Sequence, residues 1–243
     1  MVRDAALYSP SLIPLLYKDS SYDSKITTSI LHSLIPRRTS LEIECTGSVY
    51  HHWNEYKRLE PLFNLKEFDS DNIWTKSCFI NENEYETHTK LTFNEHRISL
   101  YNYKSLLGLY NLLEIMKQEC CINENGAVHI HVNFPIKLKF IDKQNNIIFI
   151  KNLLRNQLDY VENIFGKYKG RYNDKNVYYN TKGAWICIRV KSHDLTIEFR
   201  IGKCTFDYTT LVKQMIGCNK IVTNVLQNKD LIKLMREYDN NNR

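Results

Sequence analysis

The chain has 243 residues, 43% hydrophobic and 12% aromatic, enough for one large domain with a packed core or one domain with an appendage. No apolar run is long enough to span a bilayer and no basic-then-apolar leader opens the sequence, which predicts a cytoplasmic protein without a membrane partner. A net charge of +6, spread over scattered lysines with small clusters at Pro36–Arg38 and Lys167–Arg171, fits a solvated basic surface, a phosphate site or an acidic partner. It argues against nucleic acid as the main partner, because no RNP or basic-helix pattern accompanies the charge.

Residues 1–37 hold Pro10, Pro14 and Pro36 among many serines and threonines, and Ser11–Tyr17 and Lys25–Leu34 each allow a short helix. They read as an N-terminal extension to a main domain over 38–243. A strand is predicted from Thr39 to about Val49, followed by a mixed stretch over 50–68 with room for a helix at His52–Leu59. Trp74–Ile80 and Tyr85–Phe93 read as strands around a turn at Asn81–Asn83. Leu106, Leu109, Tyr110, Leu113 and Met116 recur at helical spacing and predict an amphipathic helix over 104–119. After a loop at Asn123–Gly126 comes a strand containing His129 and His131. Ile147, Ile150, Leu154, Leu158, Val161 and Phe165 make one long stripe, predicting a single helix over about 147–166 that Gly166 stops. Ala184–Val190 and Leu195–Ile201 form the clearest hairpin. Asp207 is a suitable N-cap for a helix over about 208–227, with Leu211, Met215, Cys218 and Val222 facing inward, and a last helix is expected over about 229–238. Strands and helices do not alternate as regular βαβ units, so the fold class expected is α+β with a largely antiparallel sheet.

Seven cysteines form no repeated spacing, and Cys120-Cys121 is an adjacent pair in place of a CxxC. Reduced, mostly structural thiols are the expected reading, and no zinc site is expected. The scarce glycines supply no Walker A loop and no GxGxxG.

Three short stretches carry the candidate chemistry. Leu41–Cys45, Val128–Val132 and Ile197–Ile201 each alternate strictly, with two ionisable residues two positions apart between apolar ones. On a strand this puts Glu42 with Glu44, His129 with His131, and Glu198 with Arg200 on one face, and the apolar residues on the other. Paired carboxylates repel unless a cation sits between them, and a hard divalent ion wants oxygen ligands. Two imidazoles can face a metal or a phosphate, and an arginine can clamp phosphate while a neighbouring glutamate holds the metal. Each pair also has an ordinary reading, as charged residues on a solvent-facing strand or as a surface salt bridge. Glu84, Glu86 and His88 form a fourth, less regular set. Arg189 reaches the same cleft if its strand parity fits, and Lys182, Arg155 and Arg171 are further basic candidates for which a solvated role is the simpler reading.

The order of these motifs is informative. From about Arg38 to Leu226 the chain resembles the amidoligase family, carboxylate–amine ligases related to glutamine synthetase and glutamate–cysteine ligase. The resemblance rests on Ser40–Glu44, Gly126–Val132 and Thr196–Gly202, in that order. It implies a curved, mainly antiparallel sheet with helices packed on one face, binding ATP and Mg²⁺ (or Mn²⁺) on the other. It also implies activation of a carboxylate as an acyl phosphate, then attack by an amine or peptide amine to form an amide. On this resemblance Glu42, Glu44, Glu86, His129 and Glu198 would be metal ligands. His131, Arg189 and Arg200 would hold the nucleotide, and Glu198 and Arg200 would serve the phosphoryl transfer. The other reading of the same residues is a non-catalytic interaction or virion-associated protein that keeps the fold.

Overall fold

The computed structural model describes residues 33–37, 39–47, 94–100, 109–110, 113–114, 116–118, 120–122, 126–166, 174–181, 183–191 and 194–242. They form an α+β fold: a mixed, mostly antiparallel open sheet with helices against its apolar face. The strands are β1 (Thr39–Gly47), β2 (Asn94–Leu100), β3 (Cys120–Cys121), β4 (Ala127–Asn133), β5 (Asp174–Tyr179), β6 (Ala184–Lys191) and β7 (Asp194–Lys203). Their order across the sheet is β2-β1-β4-β7-β6-β5, and β3 pairs with the end of β1. Every pairing is antiparallel except β5 with β6.

The three alternating stretches therefore become β1, β4 and β7, three neighbouring strands in the middle of the sheet. Leu41, Ile43, Val128, Ile130, Val132, Ile197 and Phe199 are all fully buried and form the centre of the core. Each large aliphatic or aromatic side chain withdrawn from water in this way stabilises the fold by roughly 1.5–3 kcal/mol.

Five helices are complete among the described residues: α1 (Leu138–Ile141), α2 (Gln144–Arg155), α3 (Leu158–Phe165), α4 (Tyr208–Leu226) and α5 (Lys229–Asn240). Described positions between 109 and 118 are also helical, with Leu109, Leu113 and Met116 buried. The single helix expected over 147–166 is instead two, α2 and α3, separated by a turn at Asn156-Gln157. The amide N–H of Gln157 bonds to Leu154 O at 3.0 Å, which closes α2. The stripe itself is real, since Ile150, Leu154, Leu158 and Val161 are all buried. The break lets the two halves meet different strands: α2 lies against β5 and α3 against β7, while both contact α4. Gly166 ends α3 at φ 79°, and its N–H bonds to Glu162 O at 2.8 Å.

Asp207 caps α4 by accepting a hydrogen bond from the Thr210 N–H at 2.7 Å. The expected inner face of Leu211, Met215, Cys218 and Val222 is buried as a set. α4 packs across β4 and α3, and a Cβ at Gly217 would stand 2.6 Å from Ile164 Cδ1, so a larger residue at this helix crossing would force the Ile164 side chain to shift. The buried Asn219 donates to Thr39 Oγ1 at 2.9 Å and to Met215 O at 3.0 Å, and accepts from the Arg37 N–H at 3.3 Å. It thereby ties α4 to the start of β1. Among the described residues no helix is long and apolar enough to cross a membrane.

Three strands had no counterpart in the sequence reading, β2, β3 and β5. The strands expected at Trp74–Ile80 and Tyr85–Phe93 lie outside the described residues, as do the N-terminal extension up to residue 32 and the helix at His52–Leu59.

Candidate metal centre

The register of the sheet assembles the polar pairs. Glu42 on β1 stands opposite His129 on β4, and His131 stands opposite Glu198 on β7. Residues directly opposite on antiparallel strands share a face, so the pairs from three strands converge on the side of the sheet away from the apolar core. Between β4 and β7 the register slips by one. Val128 pairs with Gly202 and Ile130 with Phe199, so Arg200 and Ile201 both stand opposite His129. This β-bulge turns the end of β7, and it explains how a strand with Arg200 in the polar set can return Gly202 to the core side. Gly202 has no room for a side chain: a Cβ there would lie 2.7 Å from Val128 O and 3.4 Å from Phe165 Cε1.

All six side chains are buried: Glu42, Glu44, His129, His131, Glu198 and Arg200. That is a different environment from a solvent-facing strand. Buried charge must be compensated locally, and the distances show how it is done. His129 Nδ1 lies 3.3 Å from Glu42 Oε1, and His131 Nε2 lies 3.1 Å from Glu42 Oε2. Glu198 is met from two sides, by Arg200 Nη1 at 2.5 Å on Oε1 and by Arg189 Nε at 3.0 Å on Oε2. Both imidazoles also approach Glu198 Oε1, His129 Nδ1 at 3.7 Å and His131 Nε2 at 3.9 Å. Glu44 is the exception. Its nearest basic group in the cluster is His129 Nε2, 3.8 Å from Oε1, and its Oε2 is buried with no hydrogen-bond partner among the described residues.

Electrostatics follow from this arrangement. Burial alone would raise the pKa of Glu42, but the hydrogen bonds and positive fields of His129 and His131 outweigh it and hold the carboxyl well below its ordinary range. Glu42 is therefore a firmly ionised carboxylate with each oxygen aimed at a different ring.

The residues present fit a divalent cation. Two donor sets meet the geometric requirement, Glu42/Glu44/His129 and Glu42/His131/Glu198, each with one ligand atom per residue and all such atoms within 4.8 Å of one another. Around a six-coordinate cation at about 2.1 Å, ligand atoms stand roughly 3–4.2 Å apart, so only a small contraction is needed. A cation would also supply the charge that the buried, unpartnered Glu44 oxygen lacks. The two sets share Glu42, whose Oε1 lies beside His129 and whose Oε2 lies beside His131.

Of the other residues singled out in the sequence, Arg189 joins the cluster from β6 through Glu198, with its side chain 22% exposed against 5% for Arg200. Arg189 thus marks the more open side of the site. Arg155 does not join it. Its guanidinium bonds to Asn176 Oδ1 and Asn152 Oδ1 on the exposed α2–β5 surface. Glu86, with Glu84, His88, Arg171 and Lys182, lies outside the described residues.

Two features were missed. Cys187 stands opposite Glu198 in the β6–β7 register, and burial together with the Glu198 charge pushes its thiol up to about 11. β2 places Glu95 opposite Glu44 and Arg97 opposite Glu42. Its Glu95/Arg97/Ser99 spacing was a partial signal, weakened by Asn94 and His96 on the opposite face beside Ile98 and Leu100. No protein-family model matches the chain, and no curated protein matches it significantly.

Proposed function

We propose that the protein is an ATP- and divalent-metal-dependent carboxylate–amine ligase, with a glutamine synthetase/glutamate–cysteine ligase-like sheet, acting in the cytoplasm where ATP is at hand. One observation carries the reading: two overlapping carboxylate–imidazole donor sets share Glu42, and two arginines stand on the same face beside them. The motif order along the chain supports it. Divalent metal at Glu42, Glu44, His129, His131 and Glu198 would neutralise phosphate charge and orient the nucleotide. The rest falls to the protein. Arg189, the more exposed guanidinium, is suited to receive the transferring phosphoryl group. Arg200 holds Glu198 in place and places a second positive charge beside the reacting oxygens. The chemistry balances in two displacements. A substrate carboxylate oxygen attacks the γ-phosphorus and ADP leaves, and a neutral amine then attacks the acyl carbon, phosphate leaving with the proton the amine gives up. Burial of the cluster protects the acyl phosphate from water.

The test is incubation with ATP, Mg²⁺ or Mn²⁺ and pools of amino acids, dicarboxylates and peptides, with hydroxylamine as a trapping amine. ADP and a hydroxamate should appear together. If neither forms and calorimetry shows no ATP binding, the ligase reading fails.

A second reading draws on Glu198 being matched by two arginines. A buried network that ties β4, β6 and β7 together is also what a non-catalytic protein keeping this fold would retain. It requires no turnover and no ATP binding.

A further inference from the structure

The identity of the metal can be argued from the donor atoms. Mg²⁺ is a hard cation that prefers oxygen ligands and keeps several of its waters, while imidazole nitrogen suits the divalent transition ions. The geometry leaves a cation little choice of ligands. Glu42 Oε1 has His129 Nδ1 at 3.3 Å, and Glu42 Oε2 has His131 Nε2 at 3.1 Å. Each of the two donor sets contains one of these rings, so a cation bound to either oxygen of the shared carboxylate meets an imidazole nitrogen. The rings cannot easily withdraw. His129 is 1% and His131 8% exposed, both on a central strand whose alternate residues Val128, Ile130 and Val132 are locked in the core. The carboxylates are equally enclosed, Glu42 and Glu44 at 4% and Glu198 at 2%.

Resting on the metal-dependent reading above, we propose that this centre selects a divalent cation of the Mn²⁺-to-Zn²⁺ series over Mg²⁺, with His129 and His131 as the selecting residues. Glu42, Glu44 and Glu198 supply charge to any divalent ion. The two histidines supply the discrimination, and the order of preference rises from Mg²⁺ through Mn²⁺ to Co²⁺ and Zn²⁺. The competing account makes the histidines hydrogen-bond supports that orient Glu42 for Mg²⁺, contributing nothing to the choice of ion.

The experiment uses the full chain, stripped of metal with a chelator and titrated with Mg²⁺, Mn²⁺ and Co²⁺ in a calorimeter. Mn²⁺ should bind at least about tenfold tighter than Mg²⁺, and Co²⁺ tighter again. His129→Gln and His131→Gln retain a polar group of similar length. They should each cut the Mn²⁺-to-Mg²⁺ ratio by about tenfold and change Mg²⁺ affinity by less than about threefold. Glu42→Gln should weaken all three ions alike. A pulsed electron-resonance spectrum of the Mn²⁺-loaded wild type gives an independent reading that needs no variant, since coordinated imidazole leaves a ¹⁴N modulation. Mg²⁺ affinity equal to or above that of Mn²⁺, a ratio unmoved by both histidine variants, or a Mn²⁺ spectrum without ¹⁴N coupling would each overturn the selectivity and leave metal-dependent ligation standing. Binding of no divalent ion would remove both.

Discussion

Glu42 and His129 face each other across the β1–β4 ladder, Oε1 to Nδ1 at 3.3 Å, although 87 positions separate them in the chain. A carboxylate in so dry a place is stable only because His129 and His131 approach its two oxygens separately. This junction joins the two donor sets, so it is where the chemistry and the stability of the fold are most closely coupled.

Replacing Glu42 by Gln should therefore act on the acid side of the stability profile. Burial favours the neutral acid, but hydrogen bonds to both histidines dominate and depress the carboxyl far below its ordinary value of 4.5. A depressed carboxyl contributes stability that is fully present above that value and lost as pH falls below it. Wild-type melting temperature should drop through this acid range, and the Gln variant should show a shallower drop. Melts at intervals between about pH 3 and pH 7 decide it, and an identical acid slope in both proteins would contradict the assignment.

Cys187 predicts the opposite limb. Burial and then the charge of Glu198 raise its thiol from 9.0 to about 11. A raised acid of this kind gives stability that is whole below its ordinary value and lost as pH climbs through the folded one. Denaturant midpoints should fall between about pH 9 and 11, and Cys187→Ser should flatten that decline. The same burial predicts slow alkylation at neutral pH, whereas the exposed Cys121 should be the first of the described cysteines to react. Mass mapping of a brief iodoacetamide pulse checks the order.

The parts of this architecture that could be read from sequence share a cause. Strict period-2 alternation in β1, β4 and β7 announced which side chains share a face, because parity is a local property of an extended chain. Asp207 and Gly166 announced helix ends through local chemistry of their own. Burial of the polar face was not legible: an alternating strand looks the same whether its charged side meets water or other protein. The division of the 147–166 stripe into α2 and α3 was hidden as well, since Leu154 and Leu158 keep helical spacing across the turn that separates the helices. The bulge at Arg200–Ile201 depends on pairing with a strand about 70 residues away, and no local pattern signals it. β5 is the parallel edge strand, and its Asp174–Tyr179 sequence has little alternation to find.

Gly202 gives a test of that bulge. An added Cβ would press on the Val128 carbonyl at 2.7 Å and on its Cβ at 3.0 Å, and backbone cannot swing aside as a flexible side chain can. Gly202→Ala should cost about 1–3 kcal/mol in urea denaturation, the usual range for overpacking a tight core. The strain falls two residues from Arg200, so metal affinity should fall with stability. The helix contact is softer: at Gly217 the obstacle is the Ile164 side chain and not backbone, so Gly217→Ala should cost less than Gly202→Ala.

Arg189 and Arg200 separate the two functional readings. Both contact Glu198, but Arg200 is nearly enclosed while Arg189 reaches the more open side. Removing Arg200 leaves a buried carboxylate with half its compensation, which should cost roughly 3 kcal/mol or more. Removing Arg189 should cost about 1 kcal/mol or less, because water can reach the open side of the site and replace it. If the site transfers a phosphoryl group, Arg189→Ala should nevertheless lose activity by at least about a hundredfold while its urea midpoint hardly moves. Arg189→Lys should recover part of the charge effect and little of the forked geometry. If the cluster is only an internal brace, stability will track exposure, Arg200 before Arg189, and neither variant will alter ATP binding. Paired urea titrations and nucleotide calorimetry on the two alanine variants distinguish an enzyme that uses its arginines from a fold that is merely held by them.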